Sequence, residues 1–235
     1  MNSDAFFEGL FQYDVLHGSN DNQVYADQKV RGALYLKYFI EGSYHVRRQN
    51  ILTDFVAKSK ANTFVDIGYG APGLYVEKII LPQKTKLTLL DKFKTAIDFS
   101  SSLLTCIAGD SWKENIQLGL YDFNNLQPPE RYEAYILFDS IEHASSPDKS
   151  FDVIVRSAPT GAKFILSIPV CPAEAAGRSM SDPMHFIEWL TTSEVKTWIQ
   201  KHNLTLLEAE EVHPTKEDLW AQGSDFYNVL ILAEK

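Results

Sequence analysis

Phe64-Val65-Asp66-Ile67-Gly68-Tyr69-Gly70-Ala71-Pro72-Gly73 is the stretch that decides the architecture. Thr63 to Ile67 is a mostly apolar run and reads as a buried strand. It stops at a glycine-rich turn, and Leu74 to Ile80 reads as the start of a helix. Strand, Gly-x-Gly-x-x-Gly, helix is the context in which three glycines carry meaning. They let the backbone turn tightly and approach a ligand, with a helix N-terminus behind them.

Asp66 narrows the ligand. In a dinucleotide site this turn faces a pyrophosphate, and a carboxylate at the strand tip repels it. S-adenosylmethionine (SAM) has no phosphate and carries a sulfonium and an ammonium, so an acid beside the turn becomes favourable. The stretch resembles the first signature of class I SAM-dependent methyltransferases, acid-x-Gly-x-Gly-x-x-Gly. Asp66, Gly68, Gly70 and Gly73 all match. Tyr69 departs from the small residue usual there, and two placements are open for it: crowding the methionine end of the cofactor, or packing against a lid.

The 235 residues suffice for one large α/β domain. Formal net charge is −9, which argues against duplex nucleic acid as a partner. The two cysteines, Cys106 and Cys171, read as free thiols. No apolar run is long enough to span a bilayer, and the N-terminus lacks the basic start of a signal peptide. The expectation is a cytoplasmic enzyme with a small-molecule acceptor and no membrane span, a homodimer being left open as its assembly.

Residues 1–45 show no strand pattern. Phe6, Phe7, Leu10 and Phe11 fall at helical spacing, as do Leu34, Tyr35, Tyr38 and Phe39. This segment reads either as helices packed on the sheet or as a lid, with Tyr13, His17, Tyr25 or Tyr35 facing substrate. Residues 46–235 form the SAM-binding domain in this reading. Val46 to Ala57 is expected to be helical, and the helix after the glycine turn to end at Leu81-Pro82. Strands are expected over 62–67, 86–90, 116–120, 132–138 and 162–168, with a closing pair at 205–211 and 226–233. Helices are expected over 94–105, 147–157 and 193–202, the last capped by Thr191 or Thr192. Pro169 is expected to open a loop. The resemblance implies a Rossmann-like, mostly parallel seven-stranded sheet with helices on both faces, an antiparallel last strand and an N-terminal helical lid.

Strand-end acids supply the remaining site residues. Asp91 lies roughly 20 residues past the turn, where a carboxylate holds a ribose diol; it also reads as a helix cap. By resemblance, Asp122 accepts from the adenine amino group and the Phe123 N–H serves the ring. Asp110 is the competitor for that role, and a turn residue is the bland reading of Asp122. Asp139-Ser140-Ile141-Glu142-His143 resembles the Asp-x-x-Glu-His block of methyltransferases in the ubiquinone and menaquinone pathways, which adds Asp139 to the cofactor set.

Methyl transfer from a sulfonium is an in-line displacement governed by proximity and alignment. A base is needed when the nucleophile is protonated, and His143 and His185 are the candidates. The same histidines with Asp139 and Glu142 also make a divalent-metal donor set, so the metal assignment stays open. The rival readings are aminocarboxypropyl transfer, cyclisation of SAM, and a non-catalytic protein of the same fold. A dehydrogenase is disfavoured by Asp66. No Asn-Pro-Pro-Tyr-like block follows the fourth strand, which argues against amino-methylation of bases or glutamine.

Overall fold

The computed structural model describes residues 43–126, 130–172, 189, 191–215, 218 and 226–235. The expected lid over 1–45 lies outside this set, except at its last three residues. Those three are Ser43, which caps a helix through its Oγ, and Tyr44 and His45, which begin that helix.

The helix, α1, spans Tyr44–Ser59 and so starts before and ends after the expected 46–57. Seven strands follow: β1 Thr63–Ile67, β2 Lys86–Asp91, β3 Ile116–Leu120, β4 Ala134–Phe138, β5 Lys163–Val170, β6 Thr205–Val212 and β7 Tyr227–Glu234. They form one sheet in the order β3-β2-β1-β4-β5-β7-β6. β1 to β5 pair in parallel, and β7 runs antiparallel to both β5 and β6. Strand order therefore reverses between β1 and β4, which opens a crevice at the carboxyl ends of those two strands.

The helices cover both faces because side chains alternate across each strand. Phe64, Leu87, Leu89, Ala134 and Ile136 pack on one face with α1, α2 and α3. Here α2 is a π-helical turn, Val76–Ile80, running into Leu81–Gln83, and α3 is Lys94–Ala108. Val65, Ile67, Tyr135, Leu137 and Phe164 pack on the other face with α4, Pro147–Ser157, and α5, Thr192–Lys201. Thr191 caps α5, its Oγ1 accepting from the Glu194 N–H at 3.2 Å.

Three boundaries differ from expectation for local reasons. Pro82 does not stop α2, because it sits in the last helical stretch, where the chain has already widened into a π turn. β4 begins at Ala134, since the Tyr132 N–H is held by the Tyr135 hydroxyl at 3.1 Å. β5 continues through Pro169 to Val170, paired with β7. Asp139 N–H donates to Ser167 O, so residues 167 and 169 face the β4 side. β4 has ended at Phe138, and the missing N–H of Pro169 costs the sheet no bond.

At the far edge, β6 carries a bulge between Leu206 and Glu208, which leaves Leu207 half-exposed and out of register. Lys58 of α1 reaches over to pair with Glu208 at 2.7 Å.

The crevice forces the β1 turn against β4. Gly68 has φ +72, and a Cβ there would lie 2.7 Å from the Ser140 Cβ. Gly68→Ala is expected to destabilise the protein by about 2–4 kcal/mol, from the left-handed backbone plus the clash. Urea unfolding with an unchanged m-value is the check.

Candidate functional site

The glycine turn spends its backbone donors on the protein itself. Gly68 N–H donates to Leu90 O at 2.7 Å, Gly70 N–H to Asp91 Oδ2 at 3.2 Å, and Ala71 N–H to Tyr69 O at 2.5 Å. Leu74 N–H, at the start of the following helix, donates to Gln49 Oε1 of α1 at 3.0 Å. A phosphate cradle needs such groups pointing outward. Here these four are turned in.

The sequence left two placements open for Tyr69, and the lid side of the second lies outside the described residues. The Tyr69 ring is in the core on the α3 face, and its hydroxyl accepts from Ser100 Oγ at 3.1 Å. It anchors the turn to α3.

Asp66, at the tip of β1, is buried. Tyr75 OH donates to its Oδ2 at 2.6 Å, and Oδ1 has no hydrogen-bond partner among the described residues. Burial pushes its carboxyl up to about 7, with neighbouring Asp91 adding to the rise and the Tyr75 hydrogen bond opposing it. Ser140, across the crevice at the end of β4, is also buried, and its Oγ likewise has no partner. Buried polar atoms are ordinarily satisfied. Asp66 Oδ1 and Ser140 Oγ flank one glycine turn, and both are left without a partner among the described residues.

Asp91 ends β2 and lies 21 residues from Gly70 in sequence. Besides Gly70, it accepts from the Phe93 N–H at 2.9 Å. Phe93, not Asp91, is the residue preceding α3, so the carboxylate ties the β2 end to the glycine turn and does not cap α3. Asp122 is half-buried beyond β3 and accepts from the Asn124 N–H at 2.9 Å, which opens a short 3-10 turn, Phe123–Asn125. Phe123 packs against the core beside Tyr121, and its carbonyl accepts from Ser150 Oγ of α4 at 3.1 Å. Asp110, the competitor, is exposed and paired with Lys113.

Asp139 faces a different set of neighbours. It has φ +50, uncommon for a residue with a side chain. Its Oδ1 accepts from Ser167 Oγ at 2.6 Å and Asn228 Nδ2 at 2.7 Å; its Oδ2 pairs with the Arg48 guanidinium. Arg48 is buried, donates to Ser167 Oγ at 2.8 Å, and lies over the Phe138 and Tyr44 rings. Tyr44 OH donates to Asn228. Burial holds that phenol far above its ordinary range. One network thus joins α1 to the ends of β4, β5 and β7. Sequence reasoning missed Arg48, Asn228 and Gln49, because none belongs to a spaced motif, and passed over Ser140, which fills an unspecified position of the Asp-x-x-Glu-His block. The one available signal was a polar residue on an otherwise apolar helix face.

His143 is half-buried in the 3-10 turn Ile141–His143, and its N–H donates to Ser140 O at 3.2 Å. Glu142 beside it is fully buried. His185 lies outside the described residues, as does most of the loop over 213–224. Among the described residues, no three His, Cys, Asp or Glu side chains come together to hold a metal ion, and no helix is long and apolar enough to cross a membrane. Cys106 and Cys171 are not joined in a disulfide.

No protein-family model matches the sequence, and no curated protein matches it. Solved structures do. The N-methyltransferase NodS from Bradyrhizobium japonicum WM9, in complex with S-adenosyl-L-homocysteine (SAH), superimposes with a TM-score of 0.62 at 15% identity, over 85% of this chain and 90% of that one. The fold is that of the class I SAM-dependent methyltransferases. A geranyl diphosphate methyltransferase in complex with its substrate and sinefungin gives 0.62 at 13% identity, over 81% of this chain and 77% of that one. The [4+2]-cyclase SpnF shares the fold too, with 0.62 at 14% identity, over 80% of each chain.

Two outcomes follow from this geometry. Arg48→Met leaves the Asp139 carboxylate without its guanidinium, and since Asp139 is partly exposed and keeps Ser167 and Asn228, the loss is expected to be about 1.5–3 kcal/mol. Thermal or denaturant unfolding reads that loss, and a change within 1 kcal/mol would show the pair to be dispensable. The second outcome concerns Asp66, whose folded value lies above its ordinary 3.8. The protonated acid therefore favours the ligand-free fold at low pH, and the advantage is lost as pH rises through about 7. Asp66→Asn is expected to remove that decline and to stabilise the ligand-free protein at pH 8 by at least about 1 kcal/mol.

Proposed function

We propose that this chain is a SAM-dependent methyltransferase acting on a small-molecule acceptor. One observation carries the reading: the N–H groups of Gly68, Gly70, Ala71 and Leu74 are all spent on protein acceptors, while the buried carboxylate beside them offers an oxygen without a partner among the described residues. Such a site selects a cationic ligand over a phosphorylated one. The SAH complex of NodS supports the choice of cofactor.

In this reading Asp66, with Gly68, Gly70 and Gly73, receives the amino-acid end of SAM. Asp91 holds the ribose, and Asp122 with the Phe123 N–H holds the adenine. When bound, SAM supplies a methyl group activated by its sulfonium. The chain's own task is to align an acceptor lone pair behind that carbon and to exclude water. His143 is the described base for an acceptor O–H or N–H proton, and His185 remains the second candidate. Asp139 belongs to the same cofactor set, its carboxylate oriented by Arg48 of α1 and Asn228 of β7. The likeness to SpnF favours one rival, a reaction other than methyl transfer on the same scaffold.

Titration calorimetry tests the reading. SAM and SAH should bind more tightly than NADH, and Asp66→Ala should weaken both by roughly tenfold or more. A cation binds the ionised form of Asp66, so binding below about pH 7 must displace a proton. Affinity should rise from pH 6 to pH 8 in the parent chain and stay flat in Asp66→Asn. Preferential NADH binding would sink the assignment. Label from [methyl-³H]SAM recovered in a product that lacks adenosine, with matching release of SAH and no labelled methylthioadenosine, separates methyl transfer from its rival.

A further inference from the structure

Gln49 is fully buried on α1, which precedes the first strand and lies outside the glycine signature. Its Oε1 accepts from the Leu74 N–H at 3.0 Å, a donor that the helix start leaves unsatisfied. A Cβ on Gly73 would come within 2.8 Å of that same Oε1, so the amide is in close contact with the third glycine. The position of Gln49 is itself fixed. Its carbonyl accepts from Thr53 Oγ1 at 2.7 Å, and the preceding residue, Arg48, is bound to Asp139 and Ser167.

We infer that Gln49 is a positioning residue of the cofactor site: it holds the Gly73-Leu74 end of the turn where the amino-acid half of SAM is received. The inference rests on the SAM reading above. It gives the third glycine a reason that the cofactor alone does not, namely room for a side chain from α1. It also makes α1 part of the cofactor site, through a neutral acceptor that adds no charge beside Asp66. Gln49 stands with the turn and not with Asp91 and Asp122, which serve the nucleoside half. Its loss should therefore separate the two halves of the ligand.

The test uses the full chain and calorimetry with two probes, SAH and adenosine. Gln49→Leu, similar in size but without an acceptor, should weaken SAH roughly tenfold and adenosine less than about twofold. Gln49→Asn, too short by one methylene, should behave like Gln49→Leu and carries the test where the leucine variant fails to fold. A lower melting temperature in Gln49→Leu and Gln49→Asn with SAH affinity within twofold of the parent would reduce Gln49 to packing and overturn the inference. Equal losses for SAH and adenosine would do the same. A parent chain that binds adenosine but not SAH would instead overturn the SAM reading, and this inference with it.

Discussion

Everything at the crevice depends on how closely the end of β1 passes the end of β4. The chain turns at Gly68 within contact distance of Ser140, with no room for a side chain between them. That closeness buries Asp66 at the strand tip, because the turn folds back over it. It also brings Gly70 within reach of the Asp91 carboxylate on β2. A looser turn would leave Asp66 solvated and the backbone N–H groups free. The burial of Asp66 and the inward-facing donors thus arise from one steric fact.

Helix α1 supplies the second constraint. Its consecutive residues Arg48 and Gln49 reach opposite sides of the crevice, one to the end of β4 and one to the glycine turn. A buried guanidinium is costly unless its charge and donors are met. Here Asp139 and Ser167 meet them, and Phe138 and Tyr44 flank the cation. The left-handed backbone at Asp139, a conformation costing about 1–3 kcal/mol, is tolerable because side chains from α1, β5 and β7 fix its carboxylate. The preceding helix is therefore more than a cover for the sheet.

The sequence made the sheet and its glycine turn readable because local pattern and long-range role coincide there. β1 is a strand by composition, and its tip carries the acid and the turn. β2, β3, α4 and α5 were placed within a residue or so for the same reason. Pro169 misled because a proline rule was applied without knowing that β4 stops one step earlier. Tyr69 was read only as a loop residue, whereas Ser100 on α3 also gives its ring an anchor in the core. Arg48, Gln49 and Asn228 were invisible for a deeper reason. Their roles come from partners distant in the chain, such as Asn228 on Asp139 across 89 positions, and no spacing records that. The acids at the ends of β1, β2 and β3 were legible as a set; that Asp139 belongs with α1 was not.

The bulge on β6 bears on how copies of this chain meet. β6 is an outer strand, and an outer strand with open backbone groups invites another strand. This one is bent at Leu206 to Glu208, carries Glu208, Glu210 and Glu211, and is bridged by Lys58 from α1. An incoming copy in antiparallel register would set acid against acid across a kinked edge. Self-assembly by extending the sheet at this end is thus opposed by both shape and charge, and any dimer of the protein has to be built from another surface.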